Sequence, residues 1–234
     1  MTITTRWETI AATDGSGAFE AYCALPADGR GPGVLLFQEI FGVNDNMRGL
    51  ADKVAAEGFV ALVPDMFWRL EPRFERKDES GIGDAFAMVQ RFDAAKGIED
   101  IKAAHAHLRS MSACTGKVGA MGFCLGGGLA YLAATQSKVD ASVPYYGSAI
   151  NDLLDQVEEL TCPTMFHYGN NDPFIPEEKI AEVEAAVSGK PNVTFHRYDA
   201  GHAFSNWDAP SMYDEHAATV AWDRTLAFLH EHLD

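Results

Sequence analysis

Cysteine and cationic side chains are both scarce in this sequence. Its 234 residues include four cysteines, Cys23, Cys114, Cys124 and Cys162, and no two stand in a CxxC or other metal-type spacing. That spacing argues against a disulfide-stapled scaffold and a thiolate zinc site. In a chain long enough to bury its own core, the four read as free thiols of a cytoplasmic protein. Eighteen Lys and Arg face thirty-four Asp and Glu, a formal net charge of −16. A field of that sign repels nucleic acid and anionic membranes, so neither is expected as a partner. No apolar run approaches the roughly 20 residues that span a bilayer. Residues 1–10 lack an apolar stretch long enough for a secretory signal. No G-x-G-x-x-G follows the first strand, and no cluster of His, Cys and Asp has ligand spacing, so no cofactor and no metal are expected.

What is present is ordinary globular composition, 47% hydrophobic and 22% charged. No repeat, low-complexity tract or Pro/Gly/Ser linker divides the chain, which predicts a single domain over residues 1–234. Short β-rich apolar runs at 34–37, 59–63, 118–123, 141–146, 164–168 and 193–198 alternate with helix-period segments. Those segments lie at 47–57, 97–111, 126–135, 177–187 and 213–232. The alternation predicts an α/β fold, a mostly parallel sheet covered by helices on both faces. The run 19–25 is expected to pair antiparallel at the sheet edge. The segment 66–83 is polar, charged and aromatic without a clean period, which predicts a long loop forming part of a substrate-site wall.

The sharpest local signal is Gly122-Phe123-Cys124-Leu125-Gly126, placed after the strand-like 117–121 and before a helical run. This is a G-x-nucleophile-x-G elbow with cysteine in the serine position. The nucleophile of such a turn is strained, and side chains two residues to either side would collide, so glycine stands at both places. The turn sets the thiol above the sheet at a helix N-terminus, which favours thiolate. It also offers the Leu125 N–H as one oxyanion-hole donor. The bland alternative is a structural glycine-rich turn holding a buried cysteine.

In hydrolases built on such an elbow the acid and the histidine follow the nucleophile in chain order. The strand 164–168 runs into Gly169-Asn170-Asn171-Asp172, and the strand 193–198 into Asp199-Ala200-Gly201-His202. Asp172 and His202 are therefore expected at the same sheet edge as Cys124. Asp199 is too close in sequence to His202 to orient it, and Asp65 precedes the nucleophile. His105, His107, His216, His230 and His232 fall on helical segments and read as solvated. His167 and His196 lie within strands and read as packed or hydrogen-bonded. Cys124, His202 and Asp172 form the expected catalytic triad: His202 handles the thiol proton, Asp172 fixes its tautomer, and a thioester acyl-enzyme results.

With those residues in place the sequence closely resembles the dienelactone hydrolase (carboxymethylenebutenolidase) family of α/β-hydrolases. The marks are Gln38-Glu39-Ile40-Phe41-Gly42-Val43-Asn44, the cysteine elbow, Tyr145-Tyr146-Gly147, Phe166-His167-Tyr168-Gly169 with Asp172, and Ala200-Gly201-His202-Ala203-Phe204. On residues alone Glu39 reads equally as a surface acid or an active-edge carboxylate. The resemblance implies that it contacts Cys124 and takes its proton when substrate binds. It also implies that Ile40 gives the second oxyanion-hole N–H, and it points to Ile82, Phe86, Tyr145 and Asn206 as substrate-binding positions. Family members that cleave dienelactone grip its carboxylate with two arginines; here those positions are Ile82 and Asn206. The loss of two such charge-assisted pairs predicts a small-molecule ester or lactone hydrolase that prefers neutral substrates and is weak on dienelactone itself. Arg73, Arg76, Lys77 and Arg91 lie near enough in sequence to supply a displaced cation. The other readings are a broad carboxylesterase without a lactone role, a non-catalytic binding module, and a thiol redox protein pairing Cys124 with Cys114. Monomer and homodimer both fit.

Overall fold

The period-two and period-3.6 patterns resolve, over residues 2–234 of the computed structural model, into one eight-stranded sheet with helices on both faces. The strands are β1 (Thr4–Ala11), β2 (Ala18–Leu25), β3 (Gly31–Phe37), β4 (Val60–Pro64), β5 (Cys114–Phe123), β6 (Ala141–Tyr145), β7 (Thr164–Gly169) and β8 (Val193–Tyr198), in the order β1-β2-β4-β3-β5-β6-β7-β8. β1, β2 and β4 pair antiparallel, and β4, β3, β5, β6, β7 and β8 run parallel. The helices are α1 (Asp45–Ala56), α2 (Ile82–Arg91), α3 (Ala94–Ser110), α4 (Leu125–Leu132), α5 (Glu177–Val187) and α6 (Glu215–Leu233).

Strand periodicity divides the core. Leu35 and Phe37 of β3, with Val60 and Leu62 of β4, face α3, α4 and α5. Val34, Leu36, Ala61 and Val63 face α1 and α6. Sliding either strand by one residue would exchange the two sets, so both buried faces fix the register. Asn44, Asp93 and Asp214 cap α1, α3 and α6, each accepting a backbone N–H from the first turn, a device worth about 1 kcal/mol per helix.

Three sequence expectations are corrected. β2 is antiparallel as expected but not at the edge, because β1 lies outside it. β1 escapes notice since, of its eight residues, only Ile10 is buried. Residues 66–81 form the long connection expected, and it is tied down. Phe67 and Phe74 are buried, Asp65 accepts the N–H groups of Phe67 and Arg73, and Gly42 bridges to Glu75. Beyond Ile82 the chain enters α2, which the sequence reading passed over. His105, expected on the surface, is half-buried against Ser137. Among the described residues no helix is long and apolar enough to cross a membrane.

Candidate active site

β5 ends at Phe123 and α4 begins at Leu125, so Cys124 alone makes the turn, at φ 55° and ψ −115°. That conformation costs a non-glycine residue about 1–3 kcal/mol and persists only where its surroundings enforce it. They do so here by close approach. A Cβ on Gly122 would lie 2.0 Å from the Gly126 carbonyl oxygen, and one on Gly126 would lie 2.1 Å from that of Phe37. The Cys124 N–H donates to the Tyr145 carbonyl at 3.1 Å, and its own carbonyl accepts from Gly127 and Ser148, each at 3.0 Å.

The neighbouring strand ends supply the partners. Asp172, in the turn after β7, uses both carboxylate oxygens. Oδ1 accepts from the backbone N–H groups of Phe174 (2.8 Å) and Ile175 (2.9 Å), while Oδ2 pairs with His202 Nδ1 at 2.7 Å. His202, after β8, is buried with its ring 5.0 Å from that of Tyr146 and 5.2 Å from that of Phe174. Burial opposes its positive charge, but the Cys124 sulfur and the Asp172 carboxylate outweigh it, and its pKa rises to about 10.

Glu39 follows β3 and is almost fully buried. Its Oε1 accepts from the Tyr146 hydroxyl at 3.0 Å and its Oε2 from Asn206 Nδ2 at 2.5 Å. Burial pushes its pKa up, against the pull of Asn206, His202 and Tyr146. Among the described residues it makes no hydrogen bond to Cys124. The Cys124 sulfur lies instead 3.5 Å from Ser148 Oγ.

All of this opens into a cavity of about 350 Å³. Its floor is Cys124, His202, Glu39, Ile40 and Leu125. One wall is the i, i+4, i+7 face of α2, Ile82, Phe86 and Val89, and Phe41, Phe174 and Met212 complete the apolar lining. No Lys or Arg lines it among the described residues. Arg73 pairs with Glu20 and covers Trp7, Arg76 pairs with Asp84, and Lys77 lines a separate surface depression. The Ile40 and Leu125 N–H groups point to no hydrogen-bond acceptor among the described residues.

The structure thus brings together Cys124, His202, Asp172, Glu39, Leu125, Ile40, Ile82 and Phe86. Two other expected substrate-binding positions lie elsewhere. Tyr145 points into the core, its hydroxyl 2.6 Å from Thr225 Oγ1 and its ring tilted over Phe123 and His167. The next residue, Tyr146, turns into the site because its φ of 35° ends the strand alternation. Asn206 is buried off the cavity and spends its amide on Glu39. Tyr146, Ser148, Phe174 and Met212 were not foreseen. Only Tyr146 carried a signal, its place in Tyr145-Tyr146-Gly147. His167 is packed as expected, between Tyr198 and Thr225. All four cysteines are free.

Residues 19–233 match the model of the dienelactone hydrolase family. A carboxymethylenebutenolidase of a Pseudomonas species is 39% identical over 217 residues, 92% of this chain and 91% of that protein. Carboxymethylenebutenolidase 1 of Cupriavidus pinatubonensis is 34% identical over 215 residues, 91% of this chain and 92% of that one. A crystal structure from Klebsiella pneumoniae superposes with a TM-score of 0.86 at 26% identity, covering 99% of this chain and all of the other. The sheet order, the cysteine elbow and these likenesses agree: the chain belongs to the dienelactone hydrolase family and is a hydrolase of ester and lactone bonds.

Proposed function

We propose that Cys124, His202 and Asp172 carry the hydrolysis through a thioester. The observation that supports this most is the hydrogen-bonded Asp172–His202 pair facing a strained cysteine at the floor of an apolar cavity. The Cys124 sulfur attacks the acyl carbon, and the carbonyl oxygen, now negative, is met by the N–H groups of Leu125 and Ile40. The C–O bond breaks as His202 gives its proton to the leaving oxygen. Water then passes a proton to His202 and attacks the thioester, and the sulfur leaves as thiolate. Asp172 holds the imidazole in the tautomer that keeps Nε2 toward the sulfur. Glu39 sits at the cavity floor with both oxygens engaged, by Tyr146 and Asn206.

The substrate that fits best is a small neutral ester or lactone. A carboxylate would enter a cavity that no Lys or Arg lines among the described residues, without the bidentate arginine that makes such binding favourable. The free cysteines suit the cytoplasmic location that belongs to the same reading.

Initial rates on dienelactone and p-nitrophenyl acetate, measured side by side with the Cys124→Ala variant, test both parts. Turnover of the neutral ester, abolished in the variant, with dienelactone slower, is the expected result. Activity surviving in Cys124→Ala removes the nucleophile from the mechanism. Dienelactone kcat/KM of about 10⁴ M⁻¹s⁻¹ or more, the range of specialised enzymes, overturns the substrate preference alone.

A further inference from the structure

Ser148 bears the one hydroxyl in the lining of the Cys124 cavity, among the described residues. Its Oγ lies 3.5 Å from Cys124 Sγ, within reach for a sulfur acceptor, and has no other hydrogen-bond partner there. The backbone around it is fixed to the site. The Ser148 N–H donates to the Cys124 carbonyl at 3.0 Å, the Tyr146 N–H donates to the His167 carbonyl, and the Tyr168 hydroxyl donates to the Gly147 carbonyl at 3.1 Å. The hydroxyl is therefore carried by the same backbone that shapes the elbow, and its approach to the sulfur is held from three sides.

A thiolate in an apolar cavity needs hydrogen-bond donors. Glu39 is an acceptor whose two oxygens are already committed to Tyr146 and Asn206. The N–H groups of Leu125 and Ile40 are, on the proposed mechanism, reserved for the substrate oxygen. That leaves His202 and Ser148 as side-chain donors to the sulfur.

We propose that Ser148 is a positioning residue for the nucleophile: its hydroxyl donates to the Cys124 sulfur and, with His202, keeps it in attacking form in the empty enzyme. The inference rests on the reading of Cys124 as the nucleophile. It assigns Ser148 to the acylation half of the reaction. Once the sulfur carries an acyl group it is neutral and a poor acceptor, so the hydroxyl contributes little to hydrolysis of the thioester.

The other titratable groups facing this sulfur are His202 and Asp172 from the loops after β8 and β7, Glu39 after β3, and Tyr146 after β6. α2 presents only Ile82, Phe86 and Val89. Asp152, beyond Ser148, is exposed and bonded to Asn151. These groups are common to the wild type and the Ser148 variants, so a difference between their pH profiles reports on Ser148.

The experiment is the rate of iodoacetamide alkylation of Cys124 and kcat/KM for p-nitrophenyl acetate, both from pH 4 to 10. It compares the wild-type enzyme with Ser148→Ala, Ser148→Thr, Ser148→Val and Cys124→Ala. Thr and Val have nearly the same shape and differ by the hydroxyl, which separates hydrogen bonding from packing. Loss of a hydrogen bond to a charged group is worth roughly tenfold. Ala and Val should move the acid limb of both profiles upward and lower the rate on that limb about tenfold, Thr should restore it, and the deacylation rate should hold. Profiles of Ala and Val that superpose on the wild type, with Cys124→Ala inactive, overturn the role of Ser148 alone. An active Cys124→Ala overturns it together with the nucleophile.

Discussion

Replacing Asp172 by asparagine separates orientation from packing at this site with unusual clarity. Asp172 Oδ1 accepts two backbone N–H groups, from Phe174 and Ile175. The one oxygen of an asparagine must stay there, since turning the amide around would set its NH₂ against both donors. Its nitrogen is then forced to face His202 Nδ1, where Oδ2 now lies at 2.7 Å. An amide N–H cannot accept from Nδ1–H, so the imidazole must move its proton to Nε2. The ring is then neutral with its proton on Nε2, so it can neither take the Cys124 proton nor pair as imidazolium with the thiolate. In triad hydrolases a wrong tautomer costs about 10⁴ in kcat, which at 1.36 kcal/mol per tenfold is about 5.5 kcal/mol of transition-state stabilisation. Both backbone donors keep their acceptor, so the stability lost should be confined to the buried pair with His202. Asp172→Ala should cost folding more: the buried Ile175 N–H loses its partner, which costs about 1–3 kcal/mol and lowers Tm by a few degrees or more. Steady-state kinetics on p-nitrophenyl acetate, with calorimetric Tm and amide exchange for both variants, provide the measurement. A loss of less than tenfold in Asp172→Asn would refute the assignment of Asp172 as the orienting acid. Backbone N–H groups of Phe174 and Ile175 that exchange with solvent as fast in Asp172→Asn as in Asp172→Ala would refute the argument that the amide is trapped in one orientation.

Two further outcomes follow from the same geometry. Tyr145→Phe removes a hydroxyl bonded to Thr225 in the core, so it should cost about 1 kcal/mol of stability by denaturant titration and leave KM unchanged; a KM rise of several-fold would return Tyr145 to the substrate site. His202 holds its proton to about pH 10, against 6.5 when unfolded. Its stabilising contribution is therefore complete below about 6.5, falls as pH rises, and is gone above about 10. The Tm difference between wild type and His202→Gln should shrink from pH 6.5 to 10, and a difference independent of pH would contradict it.

The grouping of Cys124, Asp172 and His202 at one sheet edge was readable in the sequence because each part has a strict local cause. Gly122 and Gly126 stand within about 2 Å of backbone oxygen if given a Cβ, so the elbow admits little else. Asp172 and His202 each follow a strand whose apolar run is unmistakable, and parallel strands bring their carboxyl ends to one edge whatever the loops do. α2 was not readable. It is ten residues long, begins Ile82-Gly83-Asp84 after a charged stretch, and buries only Ala85 and Met88. Ile82, Ala85, Phe86, Met88 and Val89 do keep a helical period, but Gly83 in the first turn and the charged run before it obscure where the helix starts.

The tyrosine pair and Asn206 show a different limit, one of side-chain direction. A strand alternates its side chains faithfully only while it remains a strand. β6 stops at Tyr145, and the left-handed turn at Tyr146 reverses which ring enters the site. Residue 206 is diverted in a similar way: the chain after His202 folds in turns, with the Asn206 N–H donating to the Ala203 carbonyl, and this carries the side chain behind the cavity floor. Position alone placed Asn206 against the substrate, whereas its amide binds Glu39. A neutral amide there satisfies one Glu39 oxygen and brings no cation to the site, where an arginine would have brought one. The proposed preference for neutral esters then rests on a cation that residue 206 does not supply, not on a contact with the substrate.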